Sequence, residues 1–339
     1  MTTDVLVVGG GPVGLAAAIE ARLAGLTVTV IEPRAGSIDK ACGEGLMPGA
    51  LPLLARLGVD PEGMPLLGVS YRAGSRHADH LFRSGSGRGV RRTTLHDALT
   101  ARAAQLGVER HEARVDSIAQ DSTGVTVAGV RGRWLLGADG LHSTVRRSAG
   151  LERPARGSRR FGLRRHYAIA PWSSLIEVHW TPHAELYVTP VAEDTVGIAV
   201  LGPTRTDLDA VIASVPSLHD RLAGHEVASE LRGAGPLRQR TAARVSGRVL
   251  LIGDASGYVD AITGEGLRLG LEQGRLAVAA IADDSPQRYE REWRRATCNF
   301  RVLTDGLVRA ASSPLRGAIV PAASALPGLY GAIVERLAR

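Results

Sequence analysis

Cysteine is nearly missing from this chain. Cys42 and Cys298 are the only two in 339 residues, far apart and in no CxxC or Cys/His spacing. That excludes a disulfide framework and a zinc site, so no metal is expected, and a reducing cytoplasm fits. Large aromatics are scarce too, with four Trp and three Phe, which argues against a tunnel walled by rings. No run reaches the ~20 apolar residues of a typical membrane span. The longest uncharged stretch, Gly317 to Val334, has 18 residues and contains Pro321, Pro327 and three glycines. Helices packed on the protein, or lying against a membrane surface, are expected there. The sequence opens directly on a strand, so no signal peptide is expected. No nucleic-acid module accompanies the basic charge, so no nucleic-acid partner is expected.

What is present suits about two domains of ordinary size. Apolar residues make up 44%, and glycine is abundant at 41. The net charge is +7. Its arginines lie in scattered pairs such as Arg91-Arg92 and Arg164-Arg165, which reads as a solvated surface with some attraction for anionic ligands or membranes.

Val5 to Val8 is a short apolar run of buried parallel-strand type. Gly9-Gly10-Gly11-Pro12-Val13-Gly14 follows, then an Ala-rich helix ending at Gly25, then a strand over Thr27 to Ile31 closed by Glu32. This is a complete βαβ unit. Leu95 to Leu106 has helical spacing, Val115 to Ala119 and Val125 to Val127 alternate like a hairpin, and Trp134 to Leu136 begins another strand. Between about 156 and 240 the pattern becomes antiparallel strands with two short helices. Arg248 to Ile252 returns to a buried strand, and a helix follows from Gly264 to about Ala280. The expected fold class is therefore α/β: a Rossmann-like domain with a parallel sheet over 1–70, 93–155 and 240–285. An inserted α+β substrate domain with an antiparallel sheet takes 71–92 and 156–239, and a C-terminal helical segment takes 286–339.

Gly9, Gly11 and Gly14 form GxGxxG between a strand and a helix. The first permits the turn, the second lets a diphosphate approach the backbone, and the third lets helix and strand pack closely. Pro12 opens the helix, whose N-terminal amides favour the diphosphate. Glu32, at the end of the second strand, is placed to accept hydrogen bonds from ribose hydroxyls. This unit alone does not separate FAD from NAD.

Two later segments do. Gly137-Ala138-Asp139-Gly140-Leu141-His142-Ser143-Thr144-Val145-Arg146 and Gly253-Asp254-Ala255 follow the βαβ unit in an order that resembles the flavoprotein superfamily of p-hydroxybenzoate hydroxylase and geranylgeranyl reductase. The resemblance covers essentially the whole chain and implies bound FAD. It implies contacts from Asp139, Gly140 and Gly253, with Asp254 on the ribityl chain and Arg92 near the diphosphate. Lys40-Ala41-Cys42-Gly43-Glu44-Gly45-Leu46 is similar to the Cys-Gly loop of the geranylgeranyl reductases. Gly257 to Gly266 is similar to their flavin-side loop, where Gly264 and Gly266 would let amides reach the flavin. Cys42 is then the candidate catalytic residue, lining the flavin face or supplying a proton. The reductases' Tyr-x-Trp-x-Phe-Pro segment is replaced by Glu185-Leu186-Tyr187-Val188-Thr189-Pro190, which makes Tyr187 and Thr189 candidate pocket residues.

The resemblance implies an FAD-dependent oxidoreductase. Its expected substrate is a lipophilic isoprenoid, quinone or polyketide-like molecule, reduced by hydride transfer from flavin to a C=C bond. NAD(P)H is expected only as a transient reductant, since no second βαβ nucleotide site is visible. The alternatives are a monooxygenase using NAD(P)H and O2, and a non-catalytic FAD-binding protein. The expected location is cytoplasmic, with peripheral contact on the inner membrane face.

Overall fold

The computed structural model describes residues 2–157 and 159–338. Its fold is α/β, built around two sheets. In the first, β1 (Thr2–Val8) lies between β2 (Val28–Ile31) and the strand Val130–Gly137, parallel to both. Strands Val249–Leu251 and Glu109–His111 extend it in parallel on either side. Val5, Leu6 and Val7 are fully buried, because a parallel strand is covered on both faces. Each such side chain contributes roughly 1.5–3 kcal/mol when buried.

The helix α1 (Pro12–Leu23) packs against the helix Gly266–Ala282. A Cβ on Gly270 would stand 2.4 Å from Val13 Cγ2, and one on Gly274 3.2 Å from Ala17 Cβ. Missing side chains therefore set how closely these two helices approach, and that approach brings the glycine turn after β1 beside the Gly253–Gly266 loop.

The second sheet has seven strands. In spatial order they are Arg232–Ala234, Arg160–Ala168, Thr195–Pro203, Glu185–Ala192, Leu175–Trp180, Gly68–Ala73 and Arg76–Leu81. Every neighbouring pair is antiparallel except Gly68–Ala73 with Leu175–Trp180, which run parallel in a register beginning at Gly68. That strand crosses the boundary expected at residue 70 and belongs whole to the second sheet. Short helices Leu208–Ala213 and Pro216–Leu222 cover one face. The other face meets the C-terminal helices Pro286–Ala311, Ile319–Ala325 and Pro327–Ala338. The expected strand over Val115 to Ala119 shrinks to Ala119–Gln120, paired with Val125 and Thr126.

Candidate functional site

A cleft of about 690 Å³ opens between the two sheets. Gly9, Gly11, Pro12, Glu32, Cys42, Arg92, Asp139, Gly140, Tyr187, Thr189, Gly253, Asp254, Gly264 and Gly266 all line it. Gly14 alone of the expected site residues does not. A Cβ there would sit 1.9 Å from Gly9 O, so its role is the close packing of turn and helix. Gly9 has φ +107° and its Cβ would meet Ala138 O at 2.5 Å, so the turn also fits against the middle motif only without a side chain.

One half of the cleft is polar. Arg92 begins the helix Arg92–Gln105, and its guanidinium lies beside Gly11. Lys40, the only lysine in the chain, stands nearby with Nζ 3.5 Å from where a Cβ on Gly140 would be. Burial lowers its pKa, helped by Arg34 and Arg92 and opposed by Asp254 and Glu32. Asp139 Oδ2 accepts the Val145 N–H at 3.0 Å, whereas among the described residues Asp139 Oδ1 and Arg92 Nε are buried without a hydrogen-bond partner; both residues line the cleft. Burial pushes the Asp254 carboxyl up, against the pull of Arg92, Lys40 and Arg146. Cations beside the glycine turn and carboxylates beyond it fit the diphosphate and hydroxyl groups of FAD.

Glu32 lines the cleft yet is only 2% exposed. Its Oε2 accepts the Gly10 N–H at 2.9 Å, and Oε1 accepts Arg34 N at 3.1 Å and Nε at 2.7 Å. Burial alone would raise its pKa, but the bonds from Arg34 and Gly10 hold it below the ordinary value. Glu32 thus braces the glycine turn as well as facing the cleft. Glu32→Ala is expected to lower the melting temperature of the FAD-free protein as well as FAD affinity. Asp254→Ala, which removes no protein hydrogen bond of its own, is expected to lower affinity alone, by about 1–3 kcal/mol. Thermal melts of the FAD-free proteins beside fluorescence titrations with FAD check this; equal melting temperatures in the two variants would contradict it.

The Cys42 loop is fixed from the second sheet. Asp39 pairs with Arg164, which is buried in the strand Arg160–Ala168. Glu44 is buried with φ +58°, and its Oε1 accepts the Arg92 N–H at 2.8 Å. Its Oε2 lies 2.5 Å from His166 Nε2, and His166 Nδ1 lies 2.7 Å from Ser229 Oγ. Arg164 Nη1 also points at Nδ1 from 3.2 Å. A guanidinium can only donate, so Nδ1 accepts and Nε2–H donates to Glu44. Thr189 Oγ1 donates to Gly43 O at 2.9 Å, and Tyr187 Oη to Ile262 O at 3.0 Å. Both expected pocket residues therefore hold the Cys42 loop and the Gly257–Gly266 loop with their hydroxyls. Half-buried Cys42 lies between these anchors, its Sγ accepting the Glu44 N–H at 3.4 Å.

The other half of the cleft is apolar, with Val69, Ile176, Val178, Leu201, Leu237, Val334 and Leu337 in its wall. Aromatic rings do reach it, as Tyr71, Tyr187 and Tyr258 rather than Trp or Phe. Burial holds the phenols of all three well above their ordinary pKa, so they stay neutral. Sequence reading missed Lys40, Glu44, His166, Tyr71 and Tyr258. Lys40 had one usable signal, as the single lysine in a chain otherwise using arginine. His166 and Tyr71 had none, since each looks like an ordinary strand residue.

Glu265 lies between Gly264 and Gly266 and is 1% exposed. Burial pushes its carboxyl up to about 7, with Arg268 pulling the other way. The folded pKa exceeds the ordinary 4.5, so the folded state keeps a proton that the unfolded chain loses. Stability is then expected to fall as pH rises from about 4.5 to about 7, by on the order of 3 kcal/mol. Glu265→Gln removes this component. Urea unfolding at pH 5 and pH 7.5 measures it, and equal pH sensitivity in variant and wild type would refute it.

Comparison with known proteins agrees with this geometry. The family described as FAD binding domain matches residues 2–283. The menaquinone reductase of Mycolicibacterium smegmatis is 30% identical over 331 residues, spanning 86% of this chain and 79% of that protein. Digeranylgeranylglycerophospholipid reductase 2 of Methanopyrus kandleri is 27% identical, spanning 86% and 82%. A 12-dehydrotetracycline 5-monooxygenase/anhydrotetracycline 6-monooxygenase of Streptomyces rimosus is 28% identical, spanning 87% and 67%. Among solved structures, a flavoprotein/dehydrogenase from Cytophaga hutchinsonii shares the fold. Its TM-score is 0.85 at 20% identity, over 99% of this chain and 92% of that one.

Proposed function

The chain belongs to the FAD binding domain family and is an FAD-dependent oxidoreductase, and on that premise we propose that it reduces a carbon–carbon double bond of a lipophilic isoprenoid or quinone substrate. The observation that carries this reading is the division of the cleft. Its polar half suits the cofactor, its apolar half suits a hydrocarbon chain, and Cys42 lines the cleft from the loop that Thr189 anchors.

Each group has a part. Arg92 and Lys40 would neutralise the diphosphate, and Asp139 and Asp254 would accept hydroxyl hydrogens of the ribose and ribityl chain. Amides at Gly264 and Gly266, at the start of the helix Gly266–Ala282, would face the flavin and favour negative charge on it. FAD, when bound and reduced, supplies a hydride. The chain's residues then have two tasks: to hold the substrate double bond in the apolar half, and to deliver a proton to the carbon that does not receive the hydride. Cys42 Sγ is the donor this reading assigns. NAD(P)H serves as a transient reductant. A cytoplasmic protein in peripheral contact with the membrane would meet such a substrate where it is dissolved.

Two relatives whose names denote lipid reductases favour this reading, and one whose name denotes monooxygenases defines the competing one. Photoreduced protein free of excess reductant, mixed with menaquinone or a geranylgeranyl lipid under strict anaerobiosis, is expected to yield a product that stays heavier by two hydrogens after any quinol has been reoxidised to quinone. A product heavier by one oxygen, formed only when O2 is admitted, would replace this proposal with hydroxylation.

A further inference from the structure

The helix Pro327–Ala338 has two apolar sides with different surroundings. Its inner side places Val334 and Leu337 in the wall of the cleft. Its outer side exposes Leu329 and Ile333, at 58% and 38%. Leu326, just before the helix, is 55% exposed. No charged residue occurs between Gly317 and Val334, so the outer face is uninterrupted.

Cations border this face. Arg76 lies beside Pro321, Ser324 and Ala325. Arg83 follows the adjoining strand Arg76–Leu81, and its N–H bonds Glu335 on the helix itself. Arg336 is exposed in the helix's last turn. Of the nearby acids, Glu335 is buried against His80 and the Arg83 N–H, leaving Asp79 on the strand. Among the described residues no single helix is long and apolar enough to cross a membrane, and Pro314–Ala325 and Pro327–Ala338 meet at 103°. The arrangement is an apolar face of shallow reach rimmed by positive charge, which suits the headgroup–acyl boundary of an anionic leaflet.

We propose that this face docks on an anionic bilayer, and that the lipophilic substrate passes between bilayer and cleft beside the helix Pro327–Ala338. The proposal rests on the lipophilic-substrate reading above. It adds the surface and the partner, since one helix separates the apolar outer face from the apolar half of the cleft. The rim and the net charge of +7 favour an anionic bilayer over a second copy, whose own positive rim would repel this one.

The test is sedimentation of the FAD-loaded protein with vesicles of phosphatidylcholine alone, or of phosphatidylcholine with phosphatidylglycerol. Wild type is expected to bind the phosphatidylglycerol vesicles at least about tenfold more tightly, with the difference shrinking as salt is raised. The Leu329→Asp/Ile333→Asp double variant is expected to lose at least about tenfold of that binding, with flavin content unchanged. Unaltered binding by the double variant would overturn the proposal. So would a wild-type dimer that the double variant dissociates while wild type ignores vesicles, because a second copy would then cover the face. Turnover of detergent-dissolved substrate separates the two readings. If both proteins reduce it and neither binds vesicles, docking fails and the reductase reading stands. If the face binds vesicles as expected but no lipid is ever reduced, the reductase reading fails and docking stands.

Discussion

Gly14→Ala is expected to yield a protein that purifies without its flavin. The added Cβ would stand 1.9 Å from Gly9 O and 3.1 Å from Gly9 C. Both are backbone atoms of the turn itself, so no side chain can swing aside. Either α1 moves away from β1 or the turn opens, and each outcome displaces the amides at the helix start that a diphosphate needs. Overpacking of this kind typically costs about 1–3 kcal/mol in stability. Loss of the turn geometry adds to that, so FAD affinity is expected to fall at least about a hundredfold, near 2.7 kcal/mol. Gly306→Ala is the control. Gly306 is exposed within the helix Pro286–Ala311, and nothing lies within 4 Å of its added Cβ. Flavin absorbance per protein after gel filtration separates them, and a Gly14→Ala protein as yellow as wild type would show that the turn does not hold the diphosphate.

Cys42→Ser is expected to slow reoxidation of the reduced enzyme by substrate at least about tenfold, because a missing or misplaced proton donor typically costs about 10²–10⁴. Reduction of a double bond leaves one carbon with the hydride and the other in need of a proton. Among the groups lining the cleft, the Cys42 thiol is held by a loop with little freedom. Asp39 and Glu44 are anchored to Arg164 and His166, and Gly43 O is bonded by Thr189. Serine preserves size but raises the donor's pKa well beyond that of a thiol, so the proton is harder to give up. Flavin content and the rate of reduction by dithionite should stay as in wild type, which separates a chemical role from a structural one. Rapid-mixing measurement of the two half-reactions decides it. Wild-type reoxidation in Cys42→Ser would move the donor elsewhere, with Tyr258 the next phenol in the cleft.

The local features of this chain were readable because they depend on neighbours in sequence. Apolar runs at strand period and helical spacing place β1, α1, β2 and the helices Arg92–Gln105 and Gly266–Ala282. The glycine spacing specifies a turn that admits no Cβ, and the later Asp139 and Asp254 motifs lie after buried strands that can only join the same parallel sheet. All but Gly14 of the expected site residues line one cleft, with Tyr187 and Thr189 reaching it from the second sheet.

What only the tertiary structure decided are contacts across long separations. Glu44 and His166 are 122 residues apart, and Asp39 and Arg164 are 125 apart. Their meeting depends on the register of the second sheet, and no local periodicity encodes it. The same holds for Gly68–Ala73, which runs parallel to Leu175–Trp180, and for the bond from the Gly10 N–H to Glu32. Sequence alone marked the glycine turn, because the Gly14 exclusion acts against Gly9 only five residues away. The tertiary structure determined which side chains steady Cys42 and made the C-terminal helix a wall of the cleft, because those contacts exist only once two sheets and their helices pack.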